Sequence, residues 1–234
     1  FELDEEANIK RWHLAHTVIK SNHRFAYEEV QAVLEGGEAT DHPLGGAPCS
    51  EEEKVLLKQL DKLAKKLREA RFKNGAVKFD REELHFDIDE NGKPVRCYFK
   101  VSKDANKLIE EFMLLANRTV AESIGKVKKG LKPKTLPYRI HDQPDPQKLE
   151  TLRGFVVKFG YKMKTAGTKG AISKSLNTLM DECQGKKEQK LIETVALRAM
   201  MKAKYSVHNI GHYGLAFDYY THFTSPIRRY PDTM

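Results

Sequence analysis

Long hydrophobic runs are missing from this chain. No stretch approaches the roughly 20 apolar residues that a bilayer-spanning helix requires, and no signal-peptide pattern opens the sequence. No membrane partner is therefore expected. Cysteine is scarce as well: Cys49, Cys97 and Cys183 are odd in number, far apart and free of any C-x-x-C spacing. That argues against a disulfide framework or a cysteine-based zinc site and fits reduced thiols in a cytoplasmic protein. There is no Walker loop, no G-x-S-x-G elbow and no dinucleotide fingerprint. His208 and His212 stand four apart, a zinc spacing on a helix, but Gly211 and Gly214 make a poor helix there. No glutamate follows His208, so a zinc hydrolase is set aside.

What is present is positive charge. The 234 residues carry 41 Lys+Arg against 33 Asp+Glu, a formal net charge of +8. A basic surplus favours a polyanionic partner, because each phosphate neutralised releases bound counterions. The length allows one large domain or two small ones, and 40% hydrophobic with 9% aromatic residues is a globular composition.

The pattern along the chain mixes helices and strands without a regular βαβ rhythm, which predicts an α+β fold. Partial alternation over residues 9–19, with Trp12, Leu14 and Val18 on one face, predicts a hairpin strand after the turn "EEANI". Phe25, Val30, Val33 and Leu34 fall at helical spacing, and Gly36 and Gly37 end that helix. The Gly/Pro-rich stretch "GEATDHPLGGAPC" reads as a surface loop. Ser50 and Glu53 form a capping box ahead of a long helix in which Leu56, Leu60, Leu63 and Leu67 recur; without several sustained heptads this reads as a helix packed on its own domain rather than a coiled-coil seam. Asn91-Gly92 predicts a tight hairpin turn. Asp104 is expected to cap the helix "ANKLIEEFMLLANRTVAESIGK". "YRIHD" reads as a short strand, and Asp145-Pro146 opens a helix that Gly160 closes. "KMKTAGTKGAISK" is expected to be irregular, ahead of a helix through "KLIETVALRAMMKAK".

Some residues invite chemistry. "DIDENG" matches the opening of a calcium loop, but the twelfth position is Tyr98 where a bidentate glutamate belongs, and the hairpin turn explains the same residues. Glu110 and Glu111 lie in the most apolar helix, with Leu108, Leu114 and Leu115 around Glu111. A carboxylate there must be paired, hydrogen-bonded or protonated. It is either a fold-holding partner of a buried arginine or an acceptor for ligand hydroxyls. Tyr27 and Phe79 are single aromatics that, by themselves, read as core. Arg228 and Arg229 differ. Pro226 before them and Pro231 after them stiffen the backbone, and a guanidinium on a stiff backbone suits bidentate phosphate recognition.

The stretch "HYGLAFDYYTHFTSPIRRYPD" resembles the closing signature of the RNB catalytic domain of the ribonuclease II/ribonuclease R exoribonucleases. "TVIKSNHRFAYEEVQAVLE", "GAVKFDREELHFDIDENG", "LIEEFMLLANRTVAE" and "YRIHDQPD" resemble the same family in the same order. The likeness covers nearly the whole chain and looks strongest to the bacterial ribonuclease R branch. It implies 3′→5′ hydrolysis of single-stranded RNA from its 3′ end, releasing nucleoside 5′-monophosphates with Mg2+. Carried over, it implies that Arg228 faces the scissile phosphate and that Tyr27 touches the terminal nucleotides. Phe79 would stack on the last base and Glu111 would accept from the terminal ribose. His212, His222 and Arg229 would line or brace the pocket.

The family's aspartate-rich magnesium motif has no match here, so no metal ligands are assigned. Residues 1–234 are accordingly expected to be a partial RNB domain, without the metal motif, the flanking OB-type barrels or the C-terminal remainder. Such a piece is expected to be monomeric and inactive by itself. The rival readings are a non-catalytic basic RNA-binding module and a helix-mediated interaction domain.

Overall fold

The computed structural model describes residues 1–37, 48–78, 83–127, 130–132, 134–225 and 228–229. The loop expected around residues 38–47, together with Phe79, Pro226 and Pro231, lies outside the described residues. The chain divides into two units, Phe1–Arg68 with Asp80–Phe112 and Glu69–Phe79 with Met113–Met234. Helices and short antiparallel strand pairs occur in both, the α+β class expected.

In the first unit, β1 (Glu2–Leu3) pairs antiparallel with β2 (Ile9–Arg11). Asp4 makes the turn between them: its carboxylate accepts from the N–H groups of Glu6 (3.0 Å) and Asn8 (2.8 Å). β2 stops at Arg11, so the strand expected over residues 9–19 is largely not formed. Trp12, Leu14 and Val18 are exposed, and an alternating pattern with no surface to bury it does not hold a strand. Helix α1 (Tyr27–Leu34) is started by Glu29, whose carboxylate reaches back to the N–H of Ala26 (3.0 Å). It buries Val30 and Val33 against Leu57 and Ala105.

Helix α2 (Glu51–Lys73) opens on the expected capping box. Ser50 N–H donates to Glu53 (2.8 Å), and Glu53 N–H donates to Ser50 Oγ (3.2 Å). Its buried positions in this unit are Leu57 and Ala64, and Leu56 of the leucine row is 53% exposed. Strands β3 (Glu83–Ile88) and β4 (Pro94–Lys100) form the hairpin around Asn91-Gly92. Asp89 accepts from Asn91 N–H (2.9 Å) and Lys93 N–H (2.8 Å), so the calcium-like spelling is turn chemistry. Helix α3 (Asp104–Gly125) contributes residues to both units. Asp104 is its first helical residue and not its cap; Asn106 Oδ1 reaches back to Lys103 N–H (3.1 Å), and the Asp104 carboxylate pairs with Lys65 (3.0 Å).

The second unit holds β5 (Tyr138–Ile140), α4 (Pro146–Val157), α5 (Lys169–Cys183), α6 (Gln189–Ala199), β6 (Lys204–Ser206) and a 3-10 turn over Tyr213–Leu215. Asp145 caps α4 as expected, accepting from Gln147 N–H (2.9 Å) and Lys148 N–H (3.2 Å). Residues 162–168 are irregular as expected, but helix α5 makes residues 169–174 helical. Thr168 caps it, and Ile172, Leu176, Leu179, Met180 and Cys183 recur at helical spacing on its buried face. Those residues meet Leu149, Leu152 and Val156 of α4 and Ile192 and Ala196 of α6 in the main core. Asn177 of α5 ties in the run after α2, accepting from Lys78 N–H (2.8 Å) and donating to Ala76 O (2.8 Å).

These packing assignments predict a contrast between two leucines. Leu152→Ala removes a side chain with no exposed surface and should destabilise the protein by about 2–5 kcal/mol. Leu56→Ala, at half-exposed Leu56, should change stability by less than about 0.5 kcal/mol. Urea unfolding of the two variants beside the parent chain checks this, and comparable losses would contradict the exposed placement of Leu56.

Candidate nucleic-acid interface

The basic end of the second unit is positioned by one buried amide. Asn117, 1% exposed in the middle of α3, accepts at Oδ1 from Phe223 N–H (2.8 Å), Thr224 N–H (3.0 Å) and the Thr224 hydroxyl (3.3 Å). Its Nδ2 donates to the Tyr220 hydroxyl (3.3 Å). The same segment runs along β5: Tyr138 bridges Thr221, Arg139 N–H donates to Tyr220 O (2.9 Å), and the Thr221 hydroxyl donates to Pro137 O (2.8 Å). Ser225 then adopts a left-handed φ of 72°, and Arg228 N–H closes a turn onto Ser225 O (3.2 Å). Arg228 is left exposed and Arg229 half-buried.

His141, His212 and His222 belong to the same unit. His141 uses both ring nitrogens: Nε2 meets Met201 O at 2.7 Å, and Nδ1 accepts from Gly214 N–H at 3.0 Å. A carbonyl can only accept and an amide N–H only donate, so the neutral Nε2–H tautomer is fixed. Burial pushes its pKa down. His212 packs edge-on against Tyr220 and beside His141, and its Nδ1 accepts from Leu215 N–H (3.3 Å). Burial first, then the neighbouring His141 and Arg139, lowers its pKa to about 3. His222 Nδ1 shares a 2.6 Å hydrogen bond with the Tyr205 hydroxyl. Burial, followed by Arg229, Arg139 and Arg228, lowers its pKa to about 4.

Of the residues singled out in the sequence, His212, His222, Arg228 and Arg229 belong to this unit, and the electrostatics of His222 tie it to both arginines. Tyr27 and Glu111 belong to the first unit. Tyr27 is the first residue of α1 and 44% exposed. Glu111 is 3% exposed and lines a cleft of about 220 Å³ together with Lys65, Arg68 and Lys107. Phe79 lies outside the described residues. Residues not anticipated are Asn117, Arg139, Tyr205 and His141. An asparagine within the apolar run "LLANR" was the available signal for the first, since a buried amide has to be matched. Among the described residues, no three His, Cys, Asp or Glu side chains converge as a metal site. No magnesium ligands are therefore assigned from the described residues.

The histidines make stability depend on pH. His212 and His222 are neutral in the fold, with pKa values of about 3 and about 4 against an ordinary 6.5. The unfolded chain binds their protons first as pH falls, so their contribution is full above about pH 6.5 and lost progressively towards pH 4. The urea midpoint should drop between pH 7 and pH 5, and the C2–H resonances of both rings should stay flat over that range. Titration of either ring near pH 6.5 would contradict this burial and charge setting.

Known proteins match along the whole of this architecture. The RNB domain profile matches residues 1–234. Ribonuclease R of Aquifex aeolicus is 36% identical over 98% of this chain and 31% of its own length. DIS3-like exonuclease 2 of Schizosaccharomyces pombe is 38% identical over 95% of this chain and 24% of its own length. The structure of Mycoplasma genitalium RNase R in complex with ribose methylated single-stranded RNA superposes with a TM-score of 0.74 at 29% identity, covering 89% of this chain and 31% of that one. The chain thus spans about a third or less of the proteins it matches, yet matches the family profile from end to end: it belongs to the RNB domain family.

Proposed function

We propose that this chain is part of a hydrolytic exoribonuclease of the ribonuclease R kind, degrading single-stranded RNA from its 3′ end to nucleoside 5′-monophosphates in the cytoplasm. The observation that carries the reading is the anchored basic turn. Asn117 fixes residues 223 and 224, and Arg228 emerges exposed beside Arg229 and His222. Among the described residues no carboxylate pairs with Arg228 or Arg229. A guanidinium held on a fixed turn presents a planar fork of donors to a phosphate and costs no reorganisation when charge builds on the phosphorus.

In this reading Arg228 binds the scissile phosphate and Arg229 braces the turn, while His212 and His222 remain neutral supports. Tyr27, exposed at the start of α1, contacts the last nucleotides, and Phe79 stacks on the terminal base. Glu111, beside Lys65, Arg68 and Lys107 in its cleft, accepts from the terminal ribose. The RNA-bound relative supports a single-stranded ligand, and the relatives' greater length supports residues 1–234 acting within a larger enzyme; in this reading they are a partial RNB domain and the enzyme is monomeric. Magnesium would supply Lewis-acid chemistry, and in this reading its ligands lie outside the residues assigned here.

Alone, the 234-residue chain should release no mononucleotides from a labelled single-stranded oligoribonucleotide with magnesium. It should still bind that RNA weakly, with affinity falling steeply as salt rises. Cleavage activity that survives repurification would overturn the partial-domain reading, and binding indifferent to salt would overturn a phosphate-driven one.

Within a full-length enzyme carrying this domain, Arg228→Ala and Arg228→Lys should each lower the single-turnover rate by about 10²–10³, the usual loss for one preorganised donor. RNA affinity in chelator should change little, because many other phosphate contacts hold the strand. Equal losses in binding and rate would reduce Arg228 to an ordinary phosphate anchor.

A further inference from the structure

β5 carries a third arginine into the same neighbourhood. Tyr138 and Ile140 are buried on one face, so Arg139 between them projects from the other and is half-buried. Its direct cross-strand partner is Tyr205 of β6, and directly opposed residues share a face of a strand pair. The Arg139 guanidinium accordingly lies over the Tyr205 ring, 4.9 Å from its centroid. The Tyr205 hydroxyl in turn meets His222 Nδ1 at 2.6 Å, on the segment that borders β5 through Tyr220 and Thr221. Tyr220 closes the back of His222 edge-on.

Arg139, Arg228 and Arg229 are thus all felt by one imidazole, and among the described residues none of the three has a carboxylate partner. Like charges gathered around a half-buried ring repel one another, and an anion between them would relieve that repulsion. A phenol that donates to Nδ1 leaves the neutral His222 ring with its proton on Nε2, a further donor.

We propose that Arg139 and the Tyr205–His222 pair form a second phosphate-binding subsite, distinct from the contact made by Arg228. The inference rests on the ribonuclease reading only for what the phosphate belongs to, a neighbouring backbone phosphodiester of the RNA. In the subsite, the guanidinium of Arg139 provides the charge and fork, Tyr205 holds its plane by stacking, and His222 provides one neutral donor. A merely structural Arg139 would brace Tyr205 and would not respond to phosphate.

The test uses the 234-residue chain without RNA or metal, at low salt and pH 6. Inorganic phosphate is titrated while the Arg139 Nε–H and His222 C2–H resonances are followed by NMR. Both should shift saturably with one dissociation constant, and bound phosphate should raise the pKa of His222, since an anion favours the imidazolium. Arg139→Gln should weaken phosphate binding at His222 at least about tenfold, the loss of one charge-assisted contact, and more than Arg228→Gln does. Arg139→Lys should fall between, keeping charge without the fork. A dinucleoside monophosphate, UpU, competing at the same resonances would identify the ligand as a backbone diester. Response to inorganic phosphate alone would identify a monoester such as a released nucleotide, and either outcome upholds the subsite. An Arg139 Nε–H signal in the unsubstituted chain that ignores both probes would overturn it, whether or not the variants fold. Loss of RNA cleavage in a full-length enzyme would instead strike the ribonuclease reading and leave this measurement standing.

Discussion

The carboxamide of Asn117 is buried among apolar neighbours on α3, where an unmatched amide would be destabilising by several kcal/mol. Its acceptor takes three donors from residues 223 and 224, and its amino group reaches Tyr220. Remove that amide and two backbone N–H groups lose their partner in a segment that is neither helix nor strand. The Arg228 turn begins at Ser225, one residue later, so its place in the unit is inherited from this contact. The aromatic and histidine contacts around Tyr220 and His222 follow from it as well, because they sit on the same segment.

A second constraint acts at the end of α3. A side chain at Gly125 would run into the Tyr138 hydroxyl and come within 3.0 Å of the Tyr219 ring. The helix can therefore approach β5 closely only with glycine there, and that approach brings Asn117 and β5 to bear on the same residues, 220–224. Helix and strand grip this segment from two directions, one by side-chain amide and one by backbone pairing.

Features decided by a few neighbouring residues were legible in the sequence. The Ser50–Glu53 capping box, the Asp145-Pro146 helix start and the Asn91-Gly92 turn all formed as read, because each is satisfied locally. The strand over residues 9–19 and the irregular reading of residues 169–174 failed for the opposite reason. Whether Trp12 or Leu56 is buried depends on what packs against it, and the periodicity of α5 was hidden behind Gly167 and Gly170. Arg228 and Glu111 stand out as candidate site residues from their sequence setting and Tyr27 through the family likeness, whereas Asn117 and Arg139 do not stand out. Their partners lie far along the chain, 103 to 107 residues from Asn117, and a single sequence gives no sign of such pairings.

His141 faces a demand that few side chains can meet. It must offer an acceptor to Gly214 N–H from its δ position and a donor to Met201 O from its ε position. Asparagine can imitate the nearer nitrogen with its amide oxygen, and glutamine the farther one with its amide nitrogen, but neither reaches both carbonyl and amide at once. Gly214 answers with its own restriction, since a Cβ there would stand 2.9 Å from the same Nδ1. The two positions are therefore locked as a pair: the imidazole has no isostere in the genetic code, and its neighbour has no room for a side chain.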